Sequence, residues 1–383
     1  METTRQPVNR RLTDDVLIPA DVAERVLTVG PDHVNYRGGI GSVMNVYARH
    51  FARYKCITTH KPTARKWQLI PFFLKQSARF VRTLQTDKAI EIVHLQGSSH
   101  GSFYRKLILF SIAKYGFGKR VIYHMHGSRF ESFYHNSDPL SKRLIRFLVE
   151  NADMVIGLST YWQNFFAQNF RVRRLEVLNN VIHRREPDAG DAPKPAGSGP
   201  LKVLFLGAIG HRKGIFDLLD VVRAHRAPFE GRLVLHVGGN GETERLRAFV
   251  AEHQLESLVR FEGWVSGEKK HQLLSACDVY ILPSYNEGLP LSILEAMNYG
   301  LPIISTPVGG TAEAVQDGVN GFLVNPGDKD ALYDCLMRFV AQPDRVQTMG
   351  EASERLVRRY LPETIFPQLR ALYESLLNTK SNE

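Results

Sequence analysis

The 383-residue sequence has only three cysteines, Cys56, Cys277 and Cys335, and no C-x-x-C pair. An odd and widely spaced set excludes a disulfide framework and a structural zinc site, and it fits a reducing compartment. Long apolar runs are missing too. The most apolar stretches, such as Lys106–Gly118, are too short for a bilayer span and carry charge at their edges. The N-terminal residues METTRQPVNRRLTDD lack the apolar core of a signal peptide, so a cytoplasmic protein is expected. Neither a G-x-G-x-x-G fingerprint nor a P-loop is present, and the lack of the first disfavours a nicotinamide dehydrogenase.

Acidic residues are scarce in the first half. Residues 1–190 hold 29 Lys and Arg against 15 Asp and Glu, whereas 191–383 hold 20 against 24. A net +14 beside a net −4 suggests that the first half meets a polyanion or an anionic membrane, although a solvated basic face would read the same way. No nucleic-acid-binding motif accompanies the charge, so nucleic acid is not an expected partner. Apolar residues at 43% and charged residues at 23% are ordinary for a folded soluble chain and exclude bulk disorder.

What is present reads as two domains. Arg184–Pro200 has four prolines and three glycines in 17 residues and no apolar periodicity, which is linker composition. On each side, short β-branched runs alternate with helical patterns. Arg25–Gly30, Ile90–Leu95, Arg120–His126, Met154–Ser159 and Leu175–Leu178 read as strands before the linker. Lys202–Gly207, Arg232–Gly238, Val259–Phe261, Val279–Pro283 and Pro302–Ser305 follow it. Helices are expected over about Ile40–Tyr54, Phe103–Tyr115, Gly214–Ala224, Glu242–His253, Lys269–Ala276, Leu289–Tyr299 and Ala331–Val340. Such alternation predicts an α/β chain of two Rossmann-like lobes facing across a cleft, with ligands beyond the carboxyl ends of the strands.

The candidate motifs sit just after strands. Gly38-Gly39-Ile40-Gly41 opens the first helix, where glycines allow close backbone approach and helix amides attract anions; a plain tight turn would look alike. His124 and His126 end a strand on one face, without the further ligands a metal needs. Gly207–Gly214 is a glycine-rich turn carrying Arg212 and Lys213 at a helix start, suited to a diphosphate or merely a basic loop. Glu287 lies in the loop before Pro290, and Glu295 lies in the helix after it, so two carboxylates flank the free amides of Leu291 and Ser292. Asp328-Lys329-Asp330 has the look of a metal motif, but its place before a helix favours an N-cap.

Glu287 and Glu295 form an E-x₇-E motif. With Pro283–Gly288 before it, Gly300–Thr306 and Gly309–Glu313 after it, and Phe261-Glu262-Gly263-Trp264-Val265 upstream, the second half resembles the retaining glycosyltransferase family 4, which has the GT-B fold. The resemblance is specific over about Leu201–Asp330 and looser through the first half. It implies an acceptor-binding lobe over 1–183, a linker at 184–200, and a nucleotide-sugar lobe over 201–364. A segment from about 365 to 383 would cross back to the first lobe. Glu295 would bind ribose hydroxyls, and Glu287 hydroxyls of the transferred sugar. Lys213 and the amides of Leu291 and Ser292 would hold the diphosphate, Arg212 would supply further charge there, and Gly288 would belong to the donor site. Gly39, Ile40 and Gly41 would close over it, His126 would stand at the reacting centre, and Gly263 and Trp264 would lie by the base. The family's usual arginine after the strand glycine is Ala208 here, and its N-G-V turn is Asn179-Asn180-Val181, where asparagine tolerates a left-handed backbone.

The activity implied is transfer from a UDP- or GDP-sugar to a hydroxyl of a glycan or lipid-linked acceptor in surface polysaccharide synthesis. No divalent metal or other cofactor is expected, the nucleotide-sugar being a substrate. A nucleotide-sugar sensor that never turns its ligand over would keep both glutamates. The stretch Trp67–Leu84 mixes an apolar side of Leu69, Phe72, Phe73, Phe80 and Leu84 with Lys75, Arg79 and Arg82. It is a candidate for peripheral contact with an anionic membrane at the inner face of the cell, or else a core helix.

Overall fold

A computed structural model of the chain describes residues 15–35, 38–60, 66–185 and 199–378. It divides into two compact units, 1–183 with 360–383, and 184–359. Most of the Arg184–Pro200 linker lies outside the described residues.

The first unit is built on six parallel strands: β1 (Val26–Pro31), β2 (Lys55–His60), β3 (Ile92–Gly97), β4 (Arg120–Met125), β5 (Met154–Gly157) and β6 (Leu175–Val177). Their order is β2-β1-β3-β4-β5-β6. β3 and β5 are buried along their whole length, and β5 accordingly reads as a continuous apolar run. β2 was not expected. Its sequence KCITTH occupies the sheet edge, and only Ile57 and Thr59 are buried. A half-covered strand needs little apolar content, so the segment shows no strand pattern; the preceding helix was expected to run on to Tyr54. That helix spans Gly39–His50 and stops before Phe51, whose backbone is extended.

The second unit repeats the plan with β7 (Leu201–Leu206), β8 (Leu233–Gly238), β9 (Val259–Gly263), β10 (Val279–Leu282), β11 (Ile303–Ser305) and β12 (Gly321–Leu323). They are all parallel, in the order β12-β11-β10-β7-β8-β9. The three-residue edge strand β12 also escaped the sequence reading, being too short to show a period.

The helix Pro362–Asn378 belongs to the first unit. The chain rejoins that unit at Tyr360, whose carbonyl accepts from the Ile182 amide at 3.1 Å, slightly before the expected point near 365. Phe366 meets Tyr47 edge-on at 5.5 Å, and Leu369 and Tyr373 are fully buried with it. Each such side chain contributes about 1.5–3 kcal/mol by leaving water.

The stretch around Trp67–Leu84 is a helix, Leu69–Thr86, with Pro71 in its first turn, where a missing N–H is harmless. Its expected membrane side needs correction. Phe80 and Leu84 are fully buried, and Leu69, Phe72 and Phe73 are half-buried. The helix uses that stripe to cover β2. The apolar side chains left in solvent are Trp67, Ile70 and Leu74, at 69%, 71% and 62% exposure. Lys75, Arg79 and Arg82 share that outer arc. No helix among the described residues is long and apolar enough to cross a membrane.

Candidate functional site

In the second unit the strand order reverses between β7 and β10, which are neighbours although two strands, β8 and β9, separate them in sequence. Ligands bind parallel sheets beyond the carboxyl ends of the strands at such a point. The loops that leave these two strands carry Lys213 and Glu287. Gly214, at φ 68°, lets them touch, because a side chain there would collide with the Pro283 carbonyl. Further contacts stitch them together. The Tyr285 amide donates to the Arg212 carbonyl at 2.9 Å, Arg212 Nη1 donates to the Asn286 carbonyl at 3.1 Å, and the His211 ring stacks on Tyr285 at 4.5 Å.

At the centre, Lys213 Nζ is ion-paired with Glu287 Oε1, and Ser284 Oγ donates to the same oxygen at 2.6 Å. Glu287 is 6% exposed. Burial pulls the Lys213 pKa below its usual value, Glu287 opposes that, and Arg212 adds to it. The Gly309-Gly310 turn braces this loop: Gly310 N donates to the Gly288 carbonyl at 2.6 Å, and Gly309, at φ 58°, leaves no room for a side chain against Glu287. Leu291 and Ser292 open the helix Leu291–Met297, and Glu295 lies a turn further along it. Lys270, from the helix Gly267–Ala276, donates to Glu295 Oε1 at 2.7 Å. Each carboxylate of the E-x₇-E motif thus carries a lysine. Gly263 ends β9 in the left-handed region at φ 72°, and the next residue, Trp264, is 48% exposed. Asp328 caps the helix Lys329–Ala341 by accepting from Ala331 N at 3.0 Å, as an N-cap should. Among the described residues no three His, Cys, Asp or Glu gather as metal ligands.

In the first unit the reversal lies between β1 and β3. Gly39, Ile40 and Gly41 form the first turn of the helix after β1, with Gly41 buried. His126 follows β4 and is held through both ring nitrogens. Nε2 meets Gln96 Oε1 at 2.6 Å, and Nδ1 meets Asn180 Oδ1 at 3.2 Å. His124 has a different fate from its neighbour. It is fully buried, its ring stacked on His94 at 5.3 Å with a 6° tilt. Burial drives all three imidazoles toward the neutral form, His94 to about 3 and His126 to about 4, with His124 also lowered. Asn180 does not adopt the left-handed backbone expected of it. Outside glycine only His100 and Gln254 have positive φ among the described residues. Asn180 serves with its side chain instead.

Sequence reasoning missed Ser284, Lys270, His94, Gln96 and Tyr373. For the first two no sequence signal exists, since Ser284 and Lys270 reach their carboxylates only through folding. For His94 and Gln96 there was one: two polar residues at i, i+2 inside an otherwise apolar strand, in step with His124 and His126 on the next strand.

Residues 190–356 match the family described as glycosyl transferases group 1. The chain is a glycosyltransferase of the GT-B fold, similar to enzymes of the family 4 type. The N-acetyl-alpha-D-glucosaminyl L-malate synthase of Bacillus anthracis is 25% identical to this glycosyltransferase over 342 residues, 86% of this chain and 87% of that one. The amylovoran biosynthesis glycosyltransferase AmsK of Erwinia amylovora is 25% identical over 237 residues, 58% of this chain and 56% of that one. The crystal structure of HepE from Anabaena in complex with UDP and glucose superposes with a TM-score of 0.70 at 18% identity, covering 92% of this chain and 99% of that one.

Proposed function

We propose that this glycosyltransferase moves a hexosyl group, with retention, from a UDP- or GDP-sugar to a hydroxyl of a glycan or lipid-linked acceptor in surface polysaccharide synthesis. The single observation that carries the reading is the paired arrangement at the β7/β10 reversal, where Glu287 and Glu295 each hold a lysine within one loop–helix segment. The relatives support its chemistry, one being named for amylovoran biosynthesis and one solved with UDP and glucose.

In this reading Lys213, beside Arg212, Gly288 and the first amides of Leu291 and Ser292, takes the diphosphate. Charge that the Lys213–Glu287 pair now neutralises internally then meets the departing anion, with no divalent ion required. Glu287, released, accepts from sugar hydroxyls. Glu295 does the same for the ribose, displacing Lys270. Trp264 and Gly263 flank the base. Gly39, Ile40 and Gly41 offer backbone amides, and His126 stands near the reacting centre. The departing diphosphate accepts the acceptor's hydroxyl proton as the new glycosidic bond forms on the same face.

Glu287→Gln is the deciding variant. Transfer should slow strongly while nucleoside diphosphate still binds; transfer at the wild-type rate would remove Glu287 from the sugar site. Thermal shift against UDP-, GDP- and ADP-sugars should single out the donor, since stabilisation grows with the logarithm of ligand over Kd.

The same proposal includes peripheral contact with an anionic membrane at the cytoplasmic face. The outer arc of the helix Leu69–Thr86 supports it, with Trp67, Ile70 and Leu74 to enter the interface and Lys75, Arg79 and Arg82 to meet anionic headgroups at about 1 kcal/mol each. Sedimentation with anionic vesicles should fall as salt rises and weaken when the three cations are neutralised. Equal recovery in the supernatant with and without vesicles at low salt would favour a soluble acceptor.

A further inference from the structure

One lysine of the first unit is enclosed without an acid. Lys106, on the helix Gly101–Ser111, is 1% exposed. Two other well-covered lysines of that unit keep carboxylates: Lys55 meets Asp87 at 2.6 Å, and Lys114 meets Asp153 at 2.7 Å. Lys106 Nζ donates instead to the hydroxyl of Thr59 at 2.7 Å, and that hydroxyl donates to the Gly30 carbonyl at 3.1 Å. An irregularity of the sheet places Thr59 there. Gly30 pairs with Thr58 and Pro31 with His60, so Thr59 is the extra residue of β2 between them. A bulge of this kind re-aims a side chain.

A buried charge is ordinarily paired, and an ammonium has three N–H groups to satisfy. Thr59 serves one of them and brings no charge. Two more basic groups stand by, both half-buried: His60, which ends β2, and Arg105, whose Nε is buried without a hydrogen-bond partner. Among the described residues no carboxylate acts on Lys106, Arg105 or His60. The nearest acid, Asp32, is engaged in its own turn, its Oδ1 accepting from Val34 N at 2.9 Å and Asn35 N at 3.2 Å. Cys56 offers no charge either, since burial keeps its thiol protonated, although Arg79 from the helix Leu69–Thr86 opposes this. Burial and then Arg105 bring Lys106 down to about 7. Burial, Arg105 and Lys106 lower His60, and burial lowers Arg105. The three groups press one another towards losing protons, and an incoming anion relieves that, because opposite charge favours the protonated form.

We propose that Lys106, Arg105 and His60 form a phosphoryl-binding site at the carboxyl end of the first unit's sheet. An arginine fork and a lysine ammonium both suit phosphate oxygens, and a dianion answers more than one cation at once. Thr59 holds the Lys106 ammonium in position. The site lies at the same end of the sheet as His126, so the phosphoryl group is one carried by the acceptor. That source rests on the function proposed above, whereas the binding of a phosphoryl group does not.

Nitrogen-15 spectra of His60 in imidazole-labelled full-length protein test the site without donor or acceptor. Inorganic phosphate, exchanged for chloride at constant ionic strength, should shift the His60 signals saturably and raise its pKa. Lys106→Met keeps an unbranched stem in the enclosed position, so the fold should survive. That variant and Arg105→Gln should each weaken phosphate by about tenfold or more, the loss of one charge-assisted hydrogen bond. Lys213→Ala, in the second unit, should leave the His60 titration as it is. His60 signals that ignore phosphate, or that respond equally in Lys106→Met, overturn the proposal. Transfer assays with acceptors matched except for a phosphoryl group then locate its source. A KM raised several-fold by Arg105→Gln for the phosphorylated acceptor alone assigns the site to the acceptor. Phosphate binding with no change in KM assigns it to free phosphate and removes the acceptor. If no acceptor is glycosylated at all, the proposed function falls, and the His60 titration still decides this site.

Discussion

The two units both build a polar centre on a six-stranded parallel sheet, yet stabilise it in opposite ways. In the first, His94, His124 and His126 are kept neutral by burial and joined to amides and a phenol. In the second, Lys213 and Glu287 stay together as a buried ion pair, and Lys270 and Glu295 form a more open one. The same α/β frame can therefore hold a hydrogen-bonding centre that resists charge and a charged centre that is balanced only while its partners are present. The second is suited to exchanging an internal counter-ion for an anionic ligand; the first is suited to holding a geometry still.

Acid should separate the two units most strongly. The folded pKa of a buried neutral histidine is lowered below the unfolded value, about 6.5. The unfolded chain then binds more protons below that pH, so the stabilisation is complete above pH 6.5 and is lost as pH falls toward the folded value. For His94, whose folded value is about 3, the loss is about 1.4 kcal/mol per pH unit over that window; burial lowers His124 in the same direction. Hydrogen exchange between pH 7 and 4.5 should show the first unit opening before the second. The reverse order would mean that the histidine column is not what acid attacks.

Lys213→Ala comes next, because it leaves Glu287 charged and buried without its partner. Breaking such a pair costs about 3–5 kcal/mol, visible as a lower denaturant midpoint confined to the second unit. Nucleoside diphosphate affinity should fall more than nucleoside affinity, and equal losses would indicate general destabilisation alone.

Glu295→Ala should lower donor affinity by about 1.5–3 kcal/mol, the scale of hydrogen bonds to a charged group, measured by calorimetry on the folded variant. Unchanged affinity would move the ribose elsewhere. Smallest of all is Lys270→Ala. Its pair with Glu295 is partly solvated, with side-chain exposures of 32% and 22%, so about 0–1 kcal/mol of stability should be lost. A larger loss would make the second ion pair a structural element like the first.

Much of this was legible before folding. The apolar strands β1, β3, β7 and β10 announced themselves because they are covered on both faces. The edge strands β2 and β12 did not, because a strand with one covered side or three residues has no distinct pattern. Glu287, Glu295 and Lys213 could be named from loop position and helix start. Their present partners could not, since Lys213 and Glu287 stand on loops 74 residues apart in sequence that meet only through the β7–β10 pairing.

The sequence by itself determined the alternation of strands and helices, the linker composition, and the residue types set after each strand, because these depend on local periodicity and turn chemistry. Which side of the helix Leu69–Thr86 faces solvent, which lysine holds which glutamate, and that Tyr373 reaches His94 across 279 residues were decided by tertiary structure alone. Those outcomes depend on strand order and on burial. Strand order brings distant loops together, and burial compels every enclosed polar group to find a partner wherever the fold has placed one.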